Sequence, residues 1–423
     1  MRASILPFKA RGEVRAPRSK SWLHRALILA AQSPEGTSIP MDPPCGDVER
    51  TRDGLSVLGA EVDGSCPDGI RVRKHRLGSI PGATVDCGES ASTARFLLPL
   101  AASLRGAVFT GSGRLPQRPL SHLCGAIRDH GARVTGDRLP LTVDGGMAGG
   151  RFDLPGNVSS QYISGLILSA PSREEDTLIR LTSPLESAPY VDLTARMTAE
   201  CGIPVSRCGD TIRVPGGHIP RPPDPWVPEG DWSAAACLLI IGALSGPVRV
   251  TGLDGASAQG DRRILDLLER AGALVRRYPD GALIRRGDLK PLNASVRDIP
   301  DIFPALAALC AFIPGESRLE GAGRLRLKES DRLAASAAMV VSLGAFARVE
   351  GDALVIRGRE KLPGGTVDGR GDHRIVMAAA VAASACAGEC TVTGWEAVSK
   401  SYPGFYRDLC ALGGNENVIR VRP

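Results

Sequence analysis

The chain of 423 residues has few aromatic side chains, no long apolar run and no cysteine pair at a metal-binding or redox spacing. Aromatic residues make up only 4% of it, so its cores must be built from Ala, Leu, Val and Ile. No apolar run reaches the ~18–20 residues of a membrane-spanning helix, and nothing at the N-terminus resembles a signal peptide, so we expect no membrane partner. The 11 cysteines lack CxxC and CxxH spacings, which indicates reduced thiols and excludes a disulfide framework and a zinc site.

Positive charge is in slight excess, with 52 Lys and Arg against 46 Asp and Glu, a net charge of +6. This excess permits an anionic ligand, but the basic residues form no tract typical of nucleic-acid binding, so we expect no nucleic-acid partner. The 50 Gly and 32 Pro are scattered, as in an ordered protein with many short elements. Composition therefore predicts a soluble cytoplasmic protein and favours an enzyme.

A unit of about seventy residues recurs six times along the chain. Each copy has an amphipathic helical stretch, then a marker glycine suited to ending a helix, then a short β-branched run that predicts a strand. Successive marker glycines are 72, 71, 70, 72 and 69 residues apart. They are Gly59, Gly131, Gly202, Gly272, Gly344 and Gly413.

Each unit predicts helix–strand–helix–strand–strand, and its Ala/Leu-rich helix is apolar nearly all round, which indicates a buried helix covered by a sheet. The fold class is therefore α/β (α+β). Six units exceed a single core, and the proline-rich stretch at residues 215–231 divides them three and three as a stiff linker. A continuous solenoid of six repeats is the alternative, which the proline break disfavours.

Polar residues recur at the same phase of each unit, at the predicted helix starts. The buried helix of each unit begins near one of these groups: Lys20-Ser21, Glu89-Ser90, Ser159-Ser160-Gln161, Asp231-Trp232-Ser233, Asp301 and Asp372-His373-Arg374. The second helix of each unit follows one of another set: Asp47, Arg118, Ser187 with Tyr190, Gln259, Lys328-Glu329 and Lys400. Helix capping explains a Ser or Asp there. A cation costs about 0.3–1 kcal/mol at a helix N-terminus unless an anion is bound. The recurring Lys and Arg therefore predict a site for a multiply anionic ligand.

Six motifs together resemble the 5-enolpyruvylshikimate-3-phosphate synthase family over the whole chain. They are APRSKSWLHRALILAA (16–31), SSQY (159–162), SAPY (187–190), KESDR (328–332), GDHR (371–374) and SKSYPGF (399–405). The resemblance implies a two-domain enolpyruvyl-transferase fold, each domain having three pseudo-threefold βαβαββ units with buried helices and outer sheets. It places one domain at residues 1–18 and 225–423 and the other at residues 19–224.

The reaction implied by the resemblance is transfer of the enolpyruvyl group of phosphoenolpyruvate to the 5-hydroxyl of shikimate 3-phosphate, with release of phosphate. It proceeds by addition and elimination through a tetrahedral intermediate, needs no metal and no cofactor, and belongs to the shikimate pathway to chorismate and aromatic amino acids. Family members are usually monomers, so a monomer is expected.

The resemblance also implies the residues of the site. Shikimate 3-phosphate would be held by Lys20, Ser21, Arg25, Ser159, Ser160, Gln161, Ser187, Tyr190, Asp301 and Lys328. Phosphoenolpyruvate would be held by Lys20, Ser90, Arg118, Gln161, Arg332, Arg374 and Lys400. Catalysis would rest on Glu329 as the acid toward the methylene, Asp301 as the base toward the 5-hydroxyl, Lys20 at the phosphate side, and Arg118 and Lys400.

Two other functions fit parts of the pattern. The sister enolpyruvyl transferase acting on UDP-N-acetylglucosamine shares the fold, but its early motif has Lys-Asn where this chain has Lys20-Ser21, and residues 112–120 lack its loop cysteine. A non-catalytic anion- or RNA-binding module shares the repeat type with RNA 3′-phosphate cyclases. Such a module would not need Glu329, Asp301 and Lys400 in register.

The loop Gly88-Glu89-Ser90-Ala91-Ser92-Thr93 departs from the Gly-Asn-x-Gly-Thr common in the family. Ala91 adds a methyl group beside the implied phosphoenolpyruvate pocket, and Glu89 adds a carboxylate near an anion site. We therefore expect weakened binding of the inhibitor glyphosate, measured as its inhibition constant against phosphoenolpyruvate. Inhibition as tight as in a relative with glycine at this position contradicts the prediction.

Overall fold

A computed structural model describes residues 1–42, 44–64, 69–78, 80 and 82–422. The chain divides into two compact units, a discontinuous unit (Met1–Pro17 with Glu229–Pro423) and a continuous unit (Arg18–Pro228). These boundaries differ from the predicted ones by one residue and by four, and Pro423, which ends the predicted range, lies outside the described residues. A division into two compact units argues against a continuous solenoid.

The first two strands, β1 (Arg2–Ile5) and β2 (Gly12–Arg15), belong to the discontinuous unit. The continuous unit follows with strands β3 (Thr37–Pro40), β4 (Ala60–Asp63), β5 (Gly69–Lys74), β6 (Thr84–Asp86), β7 (Gly106–Thr110), β8 (Leu141–Asp144), β9 (Gly150–Pro155), β10 (Thr177–Ser183), β11 (Ser206–Cys208) and β12 (Thr211–Val214). Its helices are α1 (Lys20–Ala30), α2 (Gly46–Val57), α3 (Ala91–Ser103), α4 (Ser121–Arg128), α5 (Ser160–Ser169) and α6 (Ala188–Glu200).

The rest of the discontinuous unit has strands β13 (Val248–Thr251), β14 (Leu274–Tyr278), β15 (Gly281–Arg285), β16 (Asn293–Ser295), β17 (Gly315–Glu320), β18 (Phe346–Glu350), β19 (Ala353–Gly358), β20 (Thr366–Asp368), β21 (Cys390–Thr393) and β22 (Ile419–Arg422). Its helices are α7 (Trp232–Ser245), α8 (Ile264–Arg270), α9 (Phe303–Ala311), α10 (Arg332–Ser342), α11 (His373–Ala383) and α12 (Phe405–Ala411). None of the helices in the described part of the chain has the length and apolarity needed to span a membrane.

Four of the six sheets formed by the described residues repeat one topology, which confirms the predicted βαβαββ unit, and the sheets β3-β5-β4 and β6-β7-β8 have one strand fewer. One such sheet has the order β11-β12-β10-β9. Strands β9 and β10, which the buried helix α5 connects along the chain, pair in parallel, and the other pairs are antiparallel. The orders β14-β15-β13-β2 and β18-β19-β17-β16 match it, and in β20-β21-β1-β22 the N-terminal strand β1 occupies the equivalent of β12. The strand predicted after Gly131 is absent from the described residues apart from a single bridge between Val134 and Val143.

All six marker glycines adopt positive φ, between 83° and 117°, as predicted for residues that end helices. Gly59 illustrates the reason, since it follows the last helical residues of α2 and turns the chain into β4. This left-handed conformation costs a residue with a Cβ atom roughly 1–2 kcal/mol, which glycine avoids. The seventy-residue period of the sequence is therefore a period of helix ends.

Three buried helices run parallel inside each unit. In the continuous unit, Gln161 at the start of α5 donates to Ser92 at the start of α3, and Gln32 after α1 donates to the carbonyl of Leu168 near the end of α5. In the discontinuous unit the ends of α7 and α11 meet at the Ser245 and Ser384 hydroxyls, 3.3 Å apart. The helix N-termini of each unit therefore share one pole, and their C-termini share the other.

Arg173 joins the C-terminal ends of α3 and α5 inside the continuous unit. Its guanidinium donates to the hydroxyls of Ser103, Ser169 and Thr177 and to the carbonyl of Leu166, at 2.8–3.2 Å. Burial lowers the pKa of Arg173 to about 9. A cation is favourable at helix C-termini, where carbonyl groups carry partial negative charge, and this offsets part of the desolvation cost.

The proline-rich stretch is predicted to be a stiff linker. In the structure, part of it also packs on the continuous unit. Trp226 donates its backbone N–H to the Ser38 carbonyl at 2.9 Å, and Asp224 accepts from the Ser38 N–H at 2.8 Å. These bonds cover the outer edge of β3 in the three-stranded sheet β3-β5-β4. The ring of Trp226 packs edge-on against Trp22, with centroids 4.9 Å apart.

We expect Arg173→Met to destabilise the continuous unit by about 2–4 kcal/mol, because several buried hydroxyl and carbonyl groups lose their donor. Urea unfolding followed by circular dichroism measures the change. Arg180→Met, which removes an exposed ion pair with Asp153, is the control and should leave the midpoint nearly unchanged. Equal midpoints for the two variants contradict the role given to Arg173.

Candidate functional site

The N-terminal pole of the continuous unit is capped by hydroxyl groups. The caps are Ser19 for α1, Ser90 for α3 and Ser159 for α5, each accepting from a backbone N–H at 3.3–3.4 Å. Ser160 follows its cap as the first, buried residue of α5. Neutral caps satisfy single N–H groups but leave the partial positive charge of three helix ends uncompensated.

Two of the predicted anion-binding cations, Lys20 and Arg118, lie at this pole. Lys20, the first residue of α1, donates to the Asp47 carboxylate at 2.7 Å, and both side chains are 14% exposed. Asp47 itself lies inside the first turn of α2, two residues after the N-cap residue Cys45, whereas the sequence placed it just before the helix. Arg118 is buried after a short 3₁₀ turn, Leu115–Gln117.

Arg25 connects α1, α5 and α6, and two of its partners, Ser21 and Tyr190, are predicted shikimate 3-phosphate residues. It donates to the backbone carbonyls of Ser21 and Tyr190 at 2.6 and 3.0 Å and to the hydroxyl of Thr194 at 2.7 Å, with Ser164 at 3.5 Å. Burial lowers the pKa of Arg25 to about 10. Four of its donor positions are therefore occupied by protein groups, so Arg25 sets the spacing of these helices.

Gln161 connects the starts of α5 and α3 and orients the loop that carries Arg118. Its side-chain oxygen accepts from Arg95 at 2.7 Å, and its nitrogen donates to Ser92 at 2.9 Å. Arg95 and the Tyr162 hydroxyl both donate to the carbonyl of Pro119, the residue after Arg118.

Backbone strain marks two of the predicted motifs. Among the described residues, the non-glycine positions with positive φ are Ser187 at 55° and Arg370 at 50°. Ser187 precedes α6 in the SAPY motif, and Arg370 precedes the GDHR motif. Such left-handed residues cost of order 1–3 kcal/mol each and cluster at functional sites.

The pole of the discontinuous unit is built from carboxylates. Asp231 caps α7 by accepting from Ala234 at 2.8 Å, and Asp372 caps α11 by accepting from Arg374 at 3.0 Å. Asp301 lies at the equivalent phase, but the N-cap residue of α9 is Ile302. The Asp301 carboxylate binds cations, with Arg332 at 2.9 Å and Lys328 at 3.7 Å.

Arg332 is the buried centre of this pole, with a side chain 1% exposed. It binds Asp372 at 3.0 Å, Asp301 at 2.9 Å and the carboxylate of Glu329. Burial alone lowers the pKa of Arg332, but the facing carboxylates of Asp372, Glu329 and Asp301 outweigh it and raise the pKa. For Asp372 burial is likewise outweighed, and the Arg332 charge lowers the pKa. Both groups therefore stay ionised.

Arg374 is buried but lacks the partners that Arg332 has. Its Nε and Nη1 atoms are buried and, within the part of the chain that the structure describes, have no hydrogen-bond partner. Burial lowers the pKa of Arg374, but Asp301 and Asp231 outweigh it and raise the pKa, so the guanidinium is charged. Lys400, at the end of the 3₁₀ segment Trp395–Lys400, donates to the Gly371 carbonyl at 3.0 Å beside the same motif.

The structure thus brings the predicted residues together at one pole of each unit. The residues at the pole of the continuous unit are Lys20, Ser21, Arg25, Ser90, Arg118, Ser159, Ser160, Gln161, Ser187 and Tyr190. The residues at the pole of the discontinuous unit are Asp301, Lys328, Glu329, Arg332, Arg374 and Lys400. Sequence reasoning gave Asp231 and Asp372 at most a capping role and no part in the site, although Asp231, Asp301 and Asp372 follow the repeat at intervals of 70 and 71 residues.

A family model for EPSP synthase (3-phosphoshikimate 1-carboxyvinyltransferase) matches residues 7–409. The chain is 37% identical over 417 residues to a 3-phosphoshikimate 1-carboxyvinyltransferase of Clostridium acetobutylicum, with 97% of each covered. It is 39% identical over 411 residues to the enzyme of the same name from Methanocorpusculum labreanum, with 96% of each covered.

The fold agrees with solved structures as well. An EPSP synthase structure from Acinetobacter baumannii superposes with a TM-score of 0.83 and 25% identity, covering 100% of both chains. The family match over nearly the whole chain sets aside the sister transferase and the anion- or RNA-binding module. The chain belongs to the EPSP synthase family.

Proposed function

We propose that the two poles carry out the reaction of the family, transfer of the enolpyruvyl group of phosphoenolpyruvate to the 5-hydroxyl of shikimate 3-phosphate. Both substrates carry phosphate and carboxylate groups, which call for fixed cations and helix N-termini. The proposal rests on Arg374, a buried and charged guanidinium whose Nε and Nη1 atoms have no hydrogen-bond partner among the described residues. A charged group in this condition is costly unless an anion binds it.

The family resemblance divides the two substrates between the proposed residues. Shikimate 3-phosphate binds Lys20, Ser21, Arg25, Ser159, Ser160, Gln161, Ser187, Tyr190, Asp301 and Lys328. Phosphoenolpyruvate binds Lys20, Ser90, Arg118, Gln161, Arg332, Arg374 and Lys400. Arg25 contributes chiefly by holding Ser21 and Tyr190, because four of its donor positions are already used.

The reaction begins with addition. Asp301 accepts the proton of the 5-hydroxyl as its oxygen attacks C2 of phosphoenolpyruvate, and Glu329 donates a proton to the methylene carbon. This gives a tetrahedral intermediate with a new C–O bond and a methyl group. Elimination then returns a methyl proton to Glu329, breaks the C–O bond to phosphate and restores the double bond. Lys20 gives a proton to the departing phosphate, and the proton that Asp301 took from the 5-hydroxyl replaces it, so the groups return to their starting states.

Arg332 links binding to proton transfer in this scheme. In the structure it holds the Glu329 carboxylate. An arriving substrate anion competes for the same guanidinium and displaces Glu329, which is then available to carry the proton. Arg118, Arg374 and Lys400 stabilise the negative charge that develops on the phosphate.

The cytoplasmic location follows from composition, and the monomer is carried over from the family. We place the protein in the cytoplasm, because its cysteines show no disulfide spacing, and we assign a monomer of 44.4 kDa.

The decisive test of the function as a whole is phosphate release from phosphoenolpyruvate that depends on added shikimate 3-phosphate. Release without that dependence, or no release, contradicts the proposal.

Arg374→Met should remove most of the thermal stabilisation that inorganic phosphate gives the protein, because the buried donors are lost. Binding to the native state raises the melting temperature in proportion to ln(1 + [L]/Kd). Scanning fluorimetry across a phosphate series, at ionic strength matched with chloride, measures the effect. Arg359→Met removes an exposed Arg from the same unit and should respond to phosphate as the parent does. An equal response in both variants would refute the anion site at Arg374.

Glu329→Gln should keep binding of both substrates but lower turnover by about 10²–10⁴-fold, because the amide cannot donate the proton. Isothermal titration calorimetry measures binding, and coupled phosphate release measures turnover. Glu360→Gln changes an exposed carboxylate and serves as the control. Near-normal turnover of the Glu329 variant removes this residue from the acid role.

A further inference from the structure

A chain of hydrogen bonds, buried beneath the starts of three helices of the continuous unit, has no assigned function. His24 Nδ1 lies 2.7 Å from the Thr51 hydroxyl, which lies 2.7 Å from the Thr93 hydroxyl. The Thr93 hydroxyl in turn donates to Ser90 Oγ at 2.8 Å. These four residues, the hydroxyl chain, are each at most 1% exposed.

The hydroxyl chain lies directly behind residues of the proposed site. Its inner members follow site residues by three or four positions, a spacing that places both on one helix face. The pairs are Lys20 with His24 in α1, Asp47 with Thr51 in α2, and Ser90 with Thr93 at the start of α3. Thr93 Oγ1 also lies 3.4 Å from the Asp47 carbonyl, which joins the chain to the partner of Lys20.

The direction of the chain follows from counting protons. A hydroxyl group has one proton, and that of Thr93 is directed to Ser90 Oγ at 2.8 Å, with the Asp47 carbonyl as a second and more distant acceptor at 3.4 Å. The Thr51 hydroxyl must then donate to Thr93, so it has no proton for His24. His24 Nδ1 must therefore be the donor to Thr51.

This fixes the form of the histidine. Burial lowers the pKa of His24 to about 3, so the ring is neutral and carries one N–H. With Nδ1 protonated, Nε2 is an acceptor, and this atom is buried without a hydrogen-bond partner in the described chain. The opposite tautomer would place the proton on Nε2 and leave a buried N–H without an acceptor in that part of the chain.

Ser90, the last residue of the hydroxyl chain, has a hydroxyl proton that it does not donate within the chain. Ser90 Oγ accepts from the Thr93 N–H at 3.3 Å and from the Thr93 hydroxyl, which occupies both of its lone pairs. No acceptor for the Ser90 hydroxyl proton lies among the described residues. The proton is therefore available at the N-terminus of α3, where the helix dipole favours an anion.

We propose that His24, in its Nδ1–H form, is a positioning residue that acts through Thr51 and Thr93 to keep the Ser90 hydroxyl proton available for phosphoenolpyruvate. The inference rests on the proposed function, in which Ser90 contacts that substrate. Without the donor from Thr51, the Thr93 hydroxyl can turn its own proton to the Asp47 carbonyl and accept the Ser90 proton instead, and the substrate must break that bond to bind.

Thr51→Val keeps the shape of the side chain and removes its hydroxyl, whereas Thr51→Ser keeps the hydroxyl as the matched control. We expect Thr51→Val to raise the KM for phosphoenolpyruvate about tenfold, the factor for a net hydrogen bond of ~1.4 kcal/mol. The kcat and the KM for shikimate 3-phosphate should stay within about twofold. Thr51→Ser should match the parent in all three. Equal impairment in the two variants shows a packing effect and overturns the proposal.

Ser90→Ala and the double variant separate this inference from the proposed function. Ser90→Ala should raise the same KM, and adding Thr51→Val should raise it no further, because the proton to be oriented is gone. A raised KM in Ser90→Ala with an unchanged KM in Thr51→Val overturns the hydroxyl chain alone. An unchanged KM in Ser90→Ala overturns the assignment of Ser90 in the proposed function, and the inference with it.

The tautomer gives a test that needs no turnover and no variant in the measured sample. Nitrogen-15 NMR of the parent protein with labelled histidine should show His24 with a protonated Nδ1 and an unprotonated Nε2 from pH 5 to 9. Its signals are assigned by their loss in His24→Asn. Protonation at Nε2 reverses the chain and overturns the proposal.

Discussion

Parallel buried helices place three positive helix ends side by side in each unit, and the chemistry at each pole follows from how that charge is compensated. The continuous unit uses neutral hydroxyl caps, Ser19, Ser90 and Ser159, so its pole keeps a positive potential suited to anions. The discontinuous unit places Asp231, Asp301 and Asp372 at the equivalent phase. Its carboxylates bind buried arginines, and this pole supplies the groups that can exchange protons.

The small side chains of the buried helices make this arrangement possible. Helices α9 and α11 are buried at every residue and consist largely of Ala, Leu and Val, so neighbouring helices can approach closely. Close, parallel packing concentrates the dipole ends and needs a counter-charge at the opposite pole as well. Arg173 supplies it in the continuous unit, and Arg286, which donates to the carbonyl of Leu244, lies at the same end of the discontinuous unit.

Much of the fold could be predicted because the same sequence pattern recurs about every seventy residues. The period of the marker glycines indicated the number of units, and the phase of Lys20, Arg118, Lys328 and Lys400 indicated the poles. Contacts between distant residues could not be read in this way. Arg25 is held by Thr194, 169 positions away, and Arg332 by Asp372, 40 positions away. Local spacing therefore showed which helix starts carry charge, but it could not show which of those charges neutralise one another.

The position of strand β1 has a consequence for synthesis of the protein. Residues 2–5 pair with β21 on one side and with β22 on the other, so a strand made before the continuous unit is completed by two strands made after it. Strand β2 must likewise wait for β13, which comes after the whole continuous unit. The continuous unit is one uninterrupted segment and can fold as it emerges. Strands β1 and β2 therefore remain without these partners while the continuous unit is made, and the sheet of β1 closes only after β21 and β22 have emerged.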